Sequence, residues 1–300
     1  MGATVQEDHL FLGVDGGGTR CRARLYGARV GPLGEGVAGP ANLRFGIEES
    51  FSAVLAAARQ SFAEAGLPFA DMERTSACLA LAGASEPSYL AAARAHRHPF
   101  RTIVITTDAH AACVGAHGNR DGGVVIVGTG TIGWGQLRGR HLRVGGWGFP
   151  SSDEGSGAWL GCEALRRALW AHDRRIPWTR MLRSVFAEFA SDPHEVVRRI
   201  SSAAPRDFAR LAPLVVEHAA SGDAEARDLM REAARHVDAL ATRLRALGIP
   251  RIALVGGLAS SIEPWLPAET REHLVTPADD ALEGALVIAG KETRAPAMTE

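Results

Sequence analysis

Three glycine-rich turns, each directly after an apolar strand, are the segments of this chain best suited to chemistry. Asp15 and three glycines follow LFLGV, a Gly-Thr-Gly turn follows VVIV, and a Gly-Gly pair follows IALV. Glycines adopt backbone conformations that bring bare N–H groups close to a bulky anion. The turns therefore predict a phosphate-binding site, for which the candidate residues are Gly16, Gly17, Gly18, Thr19, Gly128, Thr129, Gly130, Thr131, Gly256 and Gly257.

Each turn also has a simpler interpretation when it is taken alone. Residues 15–19 could form a hairpin turn with a surface aspartate, and Gly256-Gly257 could be an ordinary turn from a strand to a helix. Residues 128–133 match the dinucleotide fingerprint G-x-G-x-x-G, but that fingerprint needs a helix directly after it. The residues that follow, WGQLRGRHLRVGGWG, alternate and are rich in glycine, so they cannot form one. A second phosphate-binding hairpin fits this segment better.

The shortage of lysine narrows the kinds of nucleotide site that are possible. Lys291 is the only lysine, so the chain has neither a P-loop, which needs Gly-Lys-Ser/Thr, nor the strand lysine of a protein kinase. Phosphates would have to be bound by backbone amides, hydroxyls and Mg²⁺. Asp15, at the end of its strand, is placed to hold Mg²⁺ through water.

Asp108 is the candidate for acid–base chemistry. It lies at the end of the strand TIVITT and at the start of a helix, where a carboxylate can accept a proton from a hydroxyl group. An aspartate at that boundary could also serve as the helix N-cap. Further along, Ser151-Ser152-Asp153-Glu154 precedes a helical run, and Ser151 with Glu154 fits a capping box.

Length and composition indicate a folded chain of two domains with a sizeable core. The 300 residues exceed the usual length of one domain, 46% are hydrophobic and the formal net charge is −1, so neither nucleic-acid binding nor a polybasic membrane role has electrostatic support. Four widely spaced cysteines show no zinc or disulfide pattern, which predicts reduced, mostly buried thiols. Without a signal peptide or a run of 18 apolar residues, we expect a cytoplasmic location and no membrane partner.

The order of predicted elements indicates an α/β fold with two sheets. Two strand–turn–strand segments, 9–26 and 123–136, each begin a domain. Between them we predict helices over 48–65, 87–96 and 108–117 and strands over 77–81 and 102–106. A mostly helical stretch over 155–247, a strand over 251–255 and a final helix over 279–289 complete the series.

The glycine turns and the segments around them resemble a known superfamily. D-G-G-G-T, V-G-T-G-T and V-G-G are similar to the phosphate-1, phosphate-2 and adenosine motifs of the actin/Hsp70/sugar-kinase superfamily. LALAGA (79–84), TTDAHAACVGAH (106–117) and VGGWGFPSSDEGSGAWLG (144–161) resemble bacterial glucosamine and N-acetylglucosamine kinases of the BadF/BadG/BcrA/BcrD ATPase family. The resemblance runs from about residue 10 to 290.

This resemblance implies an α/β fold of two ribonuclease-H-like (actin-like ATPase) domains with an interdomain cleft. The domains expected are 1–118, with the C-terminal helix 279–290 packing back on it, and 119–278, with a helical insert over 155–247. The implied activity is ATP-dependent phosphorylation of the 6-hydroxyl of glucosamine to glucosamine 6-phosphate, with ATP and Mg²⁺ as cofactors. N-acetylglucosamine is the alternative substrate, and a homodimer is the expected assembly.

The family's site residues carry over to matching positions of this chain. Asp108 matches the general base that deprotonates the sugar hydroxyl. Asp153 matches an aspartate that hydrogen-bonds sugar hydroxyls, Ser152 belongs to the same stretch, and Asn42 in the loop GPANLRFG matches a position that touches the sugar. A buried polar ligand needs such partners, because unpaired groups cost about 1–3 kcal/mol each.

Two other classes of protein share the superfamily. ATPase activators of dehydratases or reductases bind an iron–sulfur cluster through a cysteine just before a glycine-rich helix start. The aligned segment SSDEGSG has no cysteine, and Cys162 lies a turn further into the helix. Sugar-sensing regulators carry a DNA-binding module before the first hairpin, where only about eight residues stand here. A sugar kinase is therefore the favoured interpretation.

Overall fold

The computed structural model describes residues 8–290. Its strands are β1 (Leu10–Gly16), β2 (Cys21–Gly27), β3 (Gly31–Ala38), β4 (Thr75–Leu81), β5 (Thr102–Thr106), β6 (Gly122–Val127), β7 (Thr131–Leu137), β8 (Arg140–Gly145) and β9 (Ile252–Val255). Its α-helices are α1 (Ile47–Glu64), α2 (Pro87–Ala95), α3 (Asp108–His117), α4 (Gly157–His172), α5 (Arg180–Ala187), α6 (Pro193–Ile200), α7 (Pro205–Ala209), α8 (Ala212–Ala220), α9 (Ala224–Ala246), α10 (Ala259–Ile262), α11 (Ala268–Glu272) and α12 (Ala281–Ile288). The described chain forms two compact units, 8–120 with 277–290 and 121–276.

A five-stranded sheet, in the order β3-β2-β1-β4-β5, forms the centre of the first unit. β1, β2 and β3 are antiparallel neighbours, whereas β4 and β5 run parallel to β1. β1 and β4 read as almost continuous apolar runs because both of their faces are buried. α1 covers one face with Phe51 and Phe62, and α3 with α12 covers the other.

A four-stranded sheet, in the order β8-β7-β6-β9, forms the centre of the second unit. β6, β7 and β8 are antiparallel, and β9 runs parallel to β6. The apolar stripe of α9 buries Leu229, Val237 and Leu244 in a core shared with α4, α5 and α8. The predicted helical stretch over 155–247 is the series α4 to α9.

Most predicted elements match the observed ones within a few residues. β5 and α3 have the predicted bounds, and the final helix is shorter than predicted, at Ala281–Ile288. β3 and β8 were not predicted; each adds a third strand to a hairpin. The α/β class with two sheets is confirmed. None of the helices within 8–290 has the length and apolar character needed to span a membrane.

The parallel strands bring several candidate residues to one sheet edge. The carboxyl ends of β1, β4 and β5 lie side by side, so the turn after Asp15, the segment after Leu81 and Asp108 all follow the same edge. In the second unit, the carboxyl ends of the parallel strands β6 and β9 also lie side by side, so Gly128 and Gly256 follow one sheet edge. Ligands of open α/β sheets bind at such edges.

Gly284 marks the tightest contact between α3 and α12. A Cβ atom on Gly284 would lie 1.9 Å from the Ala111 carbonyl oxygen and 2.6 Å from the Gly115 nitrogen. We expect Gly284→Ala to lower the free energy of unfolding by about 1–3 kcal/mol, because two backbones must separate. The measurement is urea denaturation followed by circular dichroism. In the control, Gly39→Ala, a Cβ atom meets nothing within 4 Å; an equal loss in both variants would contradict the packing argument.

Candidate functional site

The first glycine turn is a tight hairpin with open space in front of it. The Gly17 N–H donates to the Arg20 carbonyl at 3.0 Å, which closes the turn between β1 and β2. A Cβ atom on Gly16 would lie 2.6 Å from Leu81 and 2.9 Å from Ala41, so no larger residue fits there. At Gly17 and Gly18 the closest atoms would be 3.6 and 3.9 Å away. The turn therefore has room for a ligand at its tip.

Backbone hydrogen bonds join this hairpin to the loop that carries Asn42. Ala41 N donates to Gly17 O at 3.0 Å, and Ala82 N donates to Gly16 O at 2.7 Å. Asn42 itself caps the 3₁₀ turn Leu43–Phe45, and its Oδ1 accepts from Arg44 N at 3.0 Å. Its Nδ2 lies 3.9 Å from the position of a Cβ atom on Gly18. A predicted sugar-binding residue and a predicted phosphate-binding turn are thus neighbours.

Asp15 pairs with an arginine on the adjacent strand. Its Oδ2 accepts from Arg22 Nη2 at 2.9 Å, and its side chain is 23% exposed. Burial, with a smaller contribution from Asp15, raises the pKa of the Cys21 thiol to about 12. No cluster of three or more metal-binding side chains occurs within 8–290. A single carboxylate beside an open glycine turn suits Mg²⁺, which keeps several waters and binds substrate phosphates.

Asp108 is the first residue of α3, but it is not the cap of that helix. Thr107 is the N-cap, since its side chain accepts from His110 N at 3.0 Å. The interpretation of Asp108 as the N-cap is therefore wrong. Asp108 is partly exposed, and its Oδ1 accepts from Ala109 N at 2.9 Å. Because Thr107 performs the capping, the Asp108 carboxylate is not required to start α3.

The second glycine turn is held by the start of α4. Gly157 N donates to Gly128 O at 2.8 Å, and Ala158 N donates to Thr129 O at 3.1 Å. A Cβ atom on Gly128 would meet nothing within 4 Å, so the turn has open space beside it. Thr131 Oγ1 is buried and has no hydrogen-bond partner among residues 8–290. Buried polar atoms are normally paired, so this hydroxyl fits a bound phosphate oxygen.

The predicted sugar-binding loop lies against this second turn. Ser152 is buried, and its Oγ accepts from Trp147 N at 3.3 Å, while Asp153 Oδ1 accepts from Gly148 N at 3.2 Å. Asp153 has a φ of 69°, in the left-handed region. Its Oδ2 lies 2.6 Å from the position of a Cβ atom on Gly130. The Asp153 carboxylate thus reaches the turn that is predicted to bind phosphate.

The capping box predicted for this loop is wrong. α4 begins at Gly157, and its N-cap is Ser156, whose side chain accepts from Trp159 N at 3.1 Å. Ser151 and Glu154 lie before that helix start. The left-handed conformations of Asp153 and Gly155 postpone the helix, because residues in that region cannot continue a right-handed turn.

The third glycine turn packs beside the second. Gly256 has a φ of 104°, and a Cβ atom there would lie 2.4 Å from the Val127 carbonyl oxygen. Leu258 N donates to that same oxygen at 3.0 Å. A Cβ atom on Gly257 would meet nothing within 4 Å. The turn after β9 therefore has to be glycine where it touches β6 and is open on its other side.

The candidate residues fall into two groups, one within each unit. The first group lies along the edge of the sheet in 8–120 and comprises Asp15, Gly16, Gly17, Gly18, Thr19, Asn42 and Asp108. The second lies within 121–276 and comprises Gly128, Thr129, Gly130, Thr131, Ser152, Asp153, Gly256 and Gly257. Sequence reasoning missed Arg22, although the antiparallel pairing of a tight hairpin places it opposite Asp15.

Comparisons with known proteins agree with this architecture. The model of the BadF/BadG/BcrA/BcrD ATPase family matches residues 12–289. Glucosamine kinase GspK of Vibrio cholerae is 37% identical over 281 residues, which are 94% of this chain and 96% of that protein. N-acetylmuramic acid/N-acetylglucosamine kinase of Clostridium acetobutylicum is 30% identical over 236 residues, which are 75% of this chain and 76% of that protein.

A solved structure shows the same fold over nearly the whole chain. The crystal structure of a proposed N-acetylglucosamine kinase from Chromobacterium violaceum superposes with a TM-score of 0.89 and 36% identity, and covers 94% of this chain and 99% of that one. The predicted actin-like α/β fold class is confirmed by this match. Because the family model matches residues 12–289 and glucosamine kinase GspK is 37% identical over 94% of this chain, the chain belongs to the BadF/BadG/BcrA/BcrD ATPase family.

Proposed function

We propose that this protein is an ATP-dependent amino-sugar kinase that phosphorylates the 6-hydroxyl of glucosamine. The observation that carries the proposal is the placement of Asp108, Asn42 and the open glycine turn at residues 17–20 along one sheet edge. A base, a sugar-binding amide and a phosphate-binding turn are the parts a sugar kinase requires. The identity to glucosamine kinase GspK along 94% of this chain supports the same activity.

The nucleotide is proposed to bind through main-chain amides rather than through lysine. Among the candidate glycines, Gly17, Gly18, Gly128 and Gly257 have room beside them. The N–H groups of Gly17 and Gly128 already donate to the carbonyl oxygens of Arg20 and Gly130, so their part is to let the phosphates approach the turns closely. Thr131 Oγ1 is a buried hydroxyl that lacks a protein partner within 8–290. Asp15 is proposed to hold Mg²⁺ through water. When bound, Mg²⁺ would neutralise charge on the β- and γ-phosphates of ATP.

Asp108 is proposed to accept the proton of the sugar hydroxyl during transfer. The hydroxyl oxygen forms a bond to the γ-phosphorus, the bond from that phosphorus to the β–γ bridging oxygen breaks, and ADP leaves with the bonding pair. The proton passes to the Asp108 carboxylate. Positioning and electrostatic stabilisation supply most of the acceleration in such reactions, so the protein's task is to hold the hydroxyl near Asp108 and the phosphates at the glycine turns.

The substrate is tested by an ADP-release assay on the purified protein. We expect rapid release with glucosamine, slower release with N-acetylglucosamine or glucose, and little release without sugar. The product should be a hexosamine 6-phosphate by mass spectrometry and nuclear magnetic resonance. A higher kcat/KM for N-acetylglucosamine would replace the proposed substrate by the acetylated sugar. ADP release that does not respond to any sugar would contradict the kinase proposal. A homodimer and a cytoplasmic location stay predictions.

The cysteines test the alternative of an iron–sulfur activator, since clusters are bound by accessible thiolates. Burial raises the pKa of Cys78 to about 12, as burial and Asp15 do for Cys21, and burial also raises the pKa of Cys162. A raised pKa keeps these thiols protonated at neutral pH. We expect iodoacetamide at pH 8 to leave Cys21 and Cys78 unmodified in the folded protein and to modify both in guanidinium chloride, as peptide mass spectrometry will show. Rapid modification of either cysteine in the folded protein would contradict their description as buried, protonated thiols.

A further inference from the structure

A single arginine connects the Asp15 carboxylate to the start of α12. Arg22 lies opposite Asp15 in the β1–β2 pairing. Its Nη2 donates to Asp15 Oδ2 at 2.9 Å, and its Nη1 donates to Asp280 Oδ2 at 3.4 Å. The side chain is 27% exposed. The forked guanidinium group reaches the two carboxylates through two different nitrogens, whereas a lysine has a single charged nitrogen.

One atom of this arginine is left without a partner. Arg22 Nε is buried and has no hydrogen-bond partner among the described residues. A buried donor of this kind carries a cost. The side chain therefore keeps its position in spite of that cost, and the contacts at its two other nitrogens hold it there. Such an arrangement points to a role in fixing the groups that it contacts.

Asp280 joins this contact to the helix that carries Asp108. It is the N-cap of α12, and its Oδ1 accepts from Glu283 N at 3.0 Å. The Asp280 carbonyl oxygen lies 2.0 Å from the position of a Cβ atom on Gly115 in α3, so the start of α12 is pressed against α3. α3 begins at Asp108. Contacts of Arg22 and Asp280 therefore link the Asp15 carboxylate to the helix that begins at Asp108.

We propose that Arg22 is a positioning residue for the metal-binding carboxylate of Asp15. Arg22 engages Oδ2, whereas no residue of the described chain donates a hydrogen bond to Oδ1. The contact at Oδ2 restricts rotation of the carboxylate, which would leave Oδ1 to accept from a water of nucleotide-bound Mg²⁺. The inference rests on the proposed role of Asp15 in holding nucleotide-bound Mg²⁺. It predicts that the gain in nucleotide affinity on adding Mg²⁺ depends on Arg22.

Arg24 provides a matched control on the same strand and the same face. It also reaches Asp280, with Nη1 3.2 Å from Oδ1, and its Nε donates to Glu35 Oε1 at 2.7 Å. It makes no contact with Asp15 within the described chain. Arg24→Gln therefore removes an arginine from the Asp280 cluster without releasing Asp15, and Arg22→Gln removes both contacts.

The experiment measures ADP affinity by isothermal titration calorimetry, once in MgCl₂ and once in EDTA. We expect Arg22→Gln to weaken the affinity in MgCl₂ about tenfold or more, the usual worth of a hydrogen bond to a charged group, and to leave the affinity in EDTA unchanged. Arg24→Gln should resemble the wild type in both buffers. Arg22→Lys should fall between the wild type and Arg22→Gln, since lysine keeps the charge but lacks the rigid fork that contacts the two carboxylates through separate nitrogens.

A second variant, Asp280→Asn, covers the case in which Arg22→Gln does not fold. Should Arg22→Gln fail to fold by circular dichroism, Asp280→Asn takes its place, since asparagine caps α12 equally well and loses only the charge that holds Arg22; it should weaken magnesium-dependent affinity alone. Equal losses in Arg22→Gln and Arg24→Gln, equal losses in both buffers, or a gain in affinity would overturn the positioning role. If the wild type binds ADP equally in MgCl₂ and EDTA, the magnesium site and this inference both fail. If MgCl₂ strengthens ADP binding by the wild type and Arg22→Gln keeps that full strengthening, the inference alone fails.

Discussion

Asp108→Asn should lower kcat for phosphoryl transfer by about 10²–10⁴-fold, the usual contribution of a positioned general base. Asparagine retains the shape of the side chain and an oxygen that can accept from Ala109 N, as Oδ1 does at 2.9 Å. It cannot accept the hydroxyl proton. The measurement is steady-state kinetics with glucosamine, together with ADP affinity by calorimetry, which should stay near that of the wild type because the substitution leaves the glycine turns unchanged.

Thr107→Val is the control for a purely structural effect at this position. The Thr107 hydroxyl caps α3 by accepting from His110 N, and losing such a cap typically costs about 0.5–2 kcal/mol of stability. We expect Thr107→Val to lower the unfolding midpoint and to keep most of kcat. An Asp108→Asn variant that keeps half of the wild-type kcat would remove Asp108 from the chemistry. If Asp108→Asn lowers the unfolding midpoint as much as Thr107→Val does, the role of Asp108 is structural.

The elements that carry the site could be predicted because their signals are local. β5 and α3 match their predicted bounds, since an apolar strand, a polar boundary and a terminal glycine are all adjacent in sequence. The position of Asp108 at a strand end follows from that pattern. The choice of cap does not, because threonine and aspartate both cap helices well, and only the backbone geometry selects Thr107.

β3 was missed for a physical reason that lies outside its own sequence. Its glycines are placed where α1 packs directly on the strand: a Cβ atom on Gly36 would lie 2.0 Å from Ala57 O, and one on Gly34 would lie 2.3 Å from Ser61 O. Glycine weakens strand propensity, so a segment with three glycines in eight residues lacks the usual strand signal. The contact that requires them joins residues far apart in the chain.

The loop before α4 shows the same limit at the site itself. Ser151 and Glu154 have the spacing of a capping box, yet Asp153 and Gly155 adopt left-handed conformations and the helix begins at Gly157. A local motif predicts a helix start only if the residues between are helical. The hydrogen bonds from Trp147 N to Ser152 Oγ and from Gly148 N to Asp153 Oδ1 hold the loop instead, and they depend on a turn whose shape the motif does not encode.

Asp153→Asn should raise the KM for glucosamine about 10–100-fold and leave the KM for ATP unchanged. The factor corresponds to about 1.5–3 kcal/mol for a hydrogen bond to a charged acceptor. Asparagine tolerates the left-handed conformation at φ 69° and can still accept from Gly148 N, so the loop should keep its shape while the charge is lost. The measurement is steady-state kinetics with each substrate varied in turn, and unfolding midpoints show whether the fold is intact.

Asp153→Asn distinguishes a role of Asp153 in sugar binding from a role at the phosphate turn, which lies beside it. Asp153 Oδ2 lies 2.6 Å from the position of a Cβ atom on Gly130, in the turn proposed to bind phosphate, and a carboxylate there repels phosphate oxygens. If Asp153 binds the sugar, neutralising its carboxylate raises the KM for glucosamine and leaves the KM for ATP unchanged. If it acts on the nucleotide side, the KM for ATP changes and that for glucosamine does not. A rise in the KM for ATP alone would move Asp153 from the proposed sugar site to the phosphate turn.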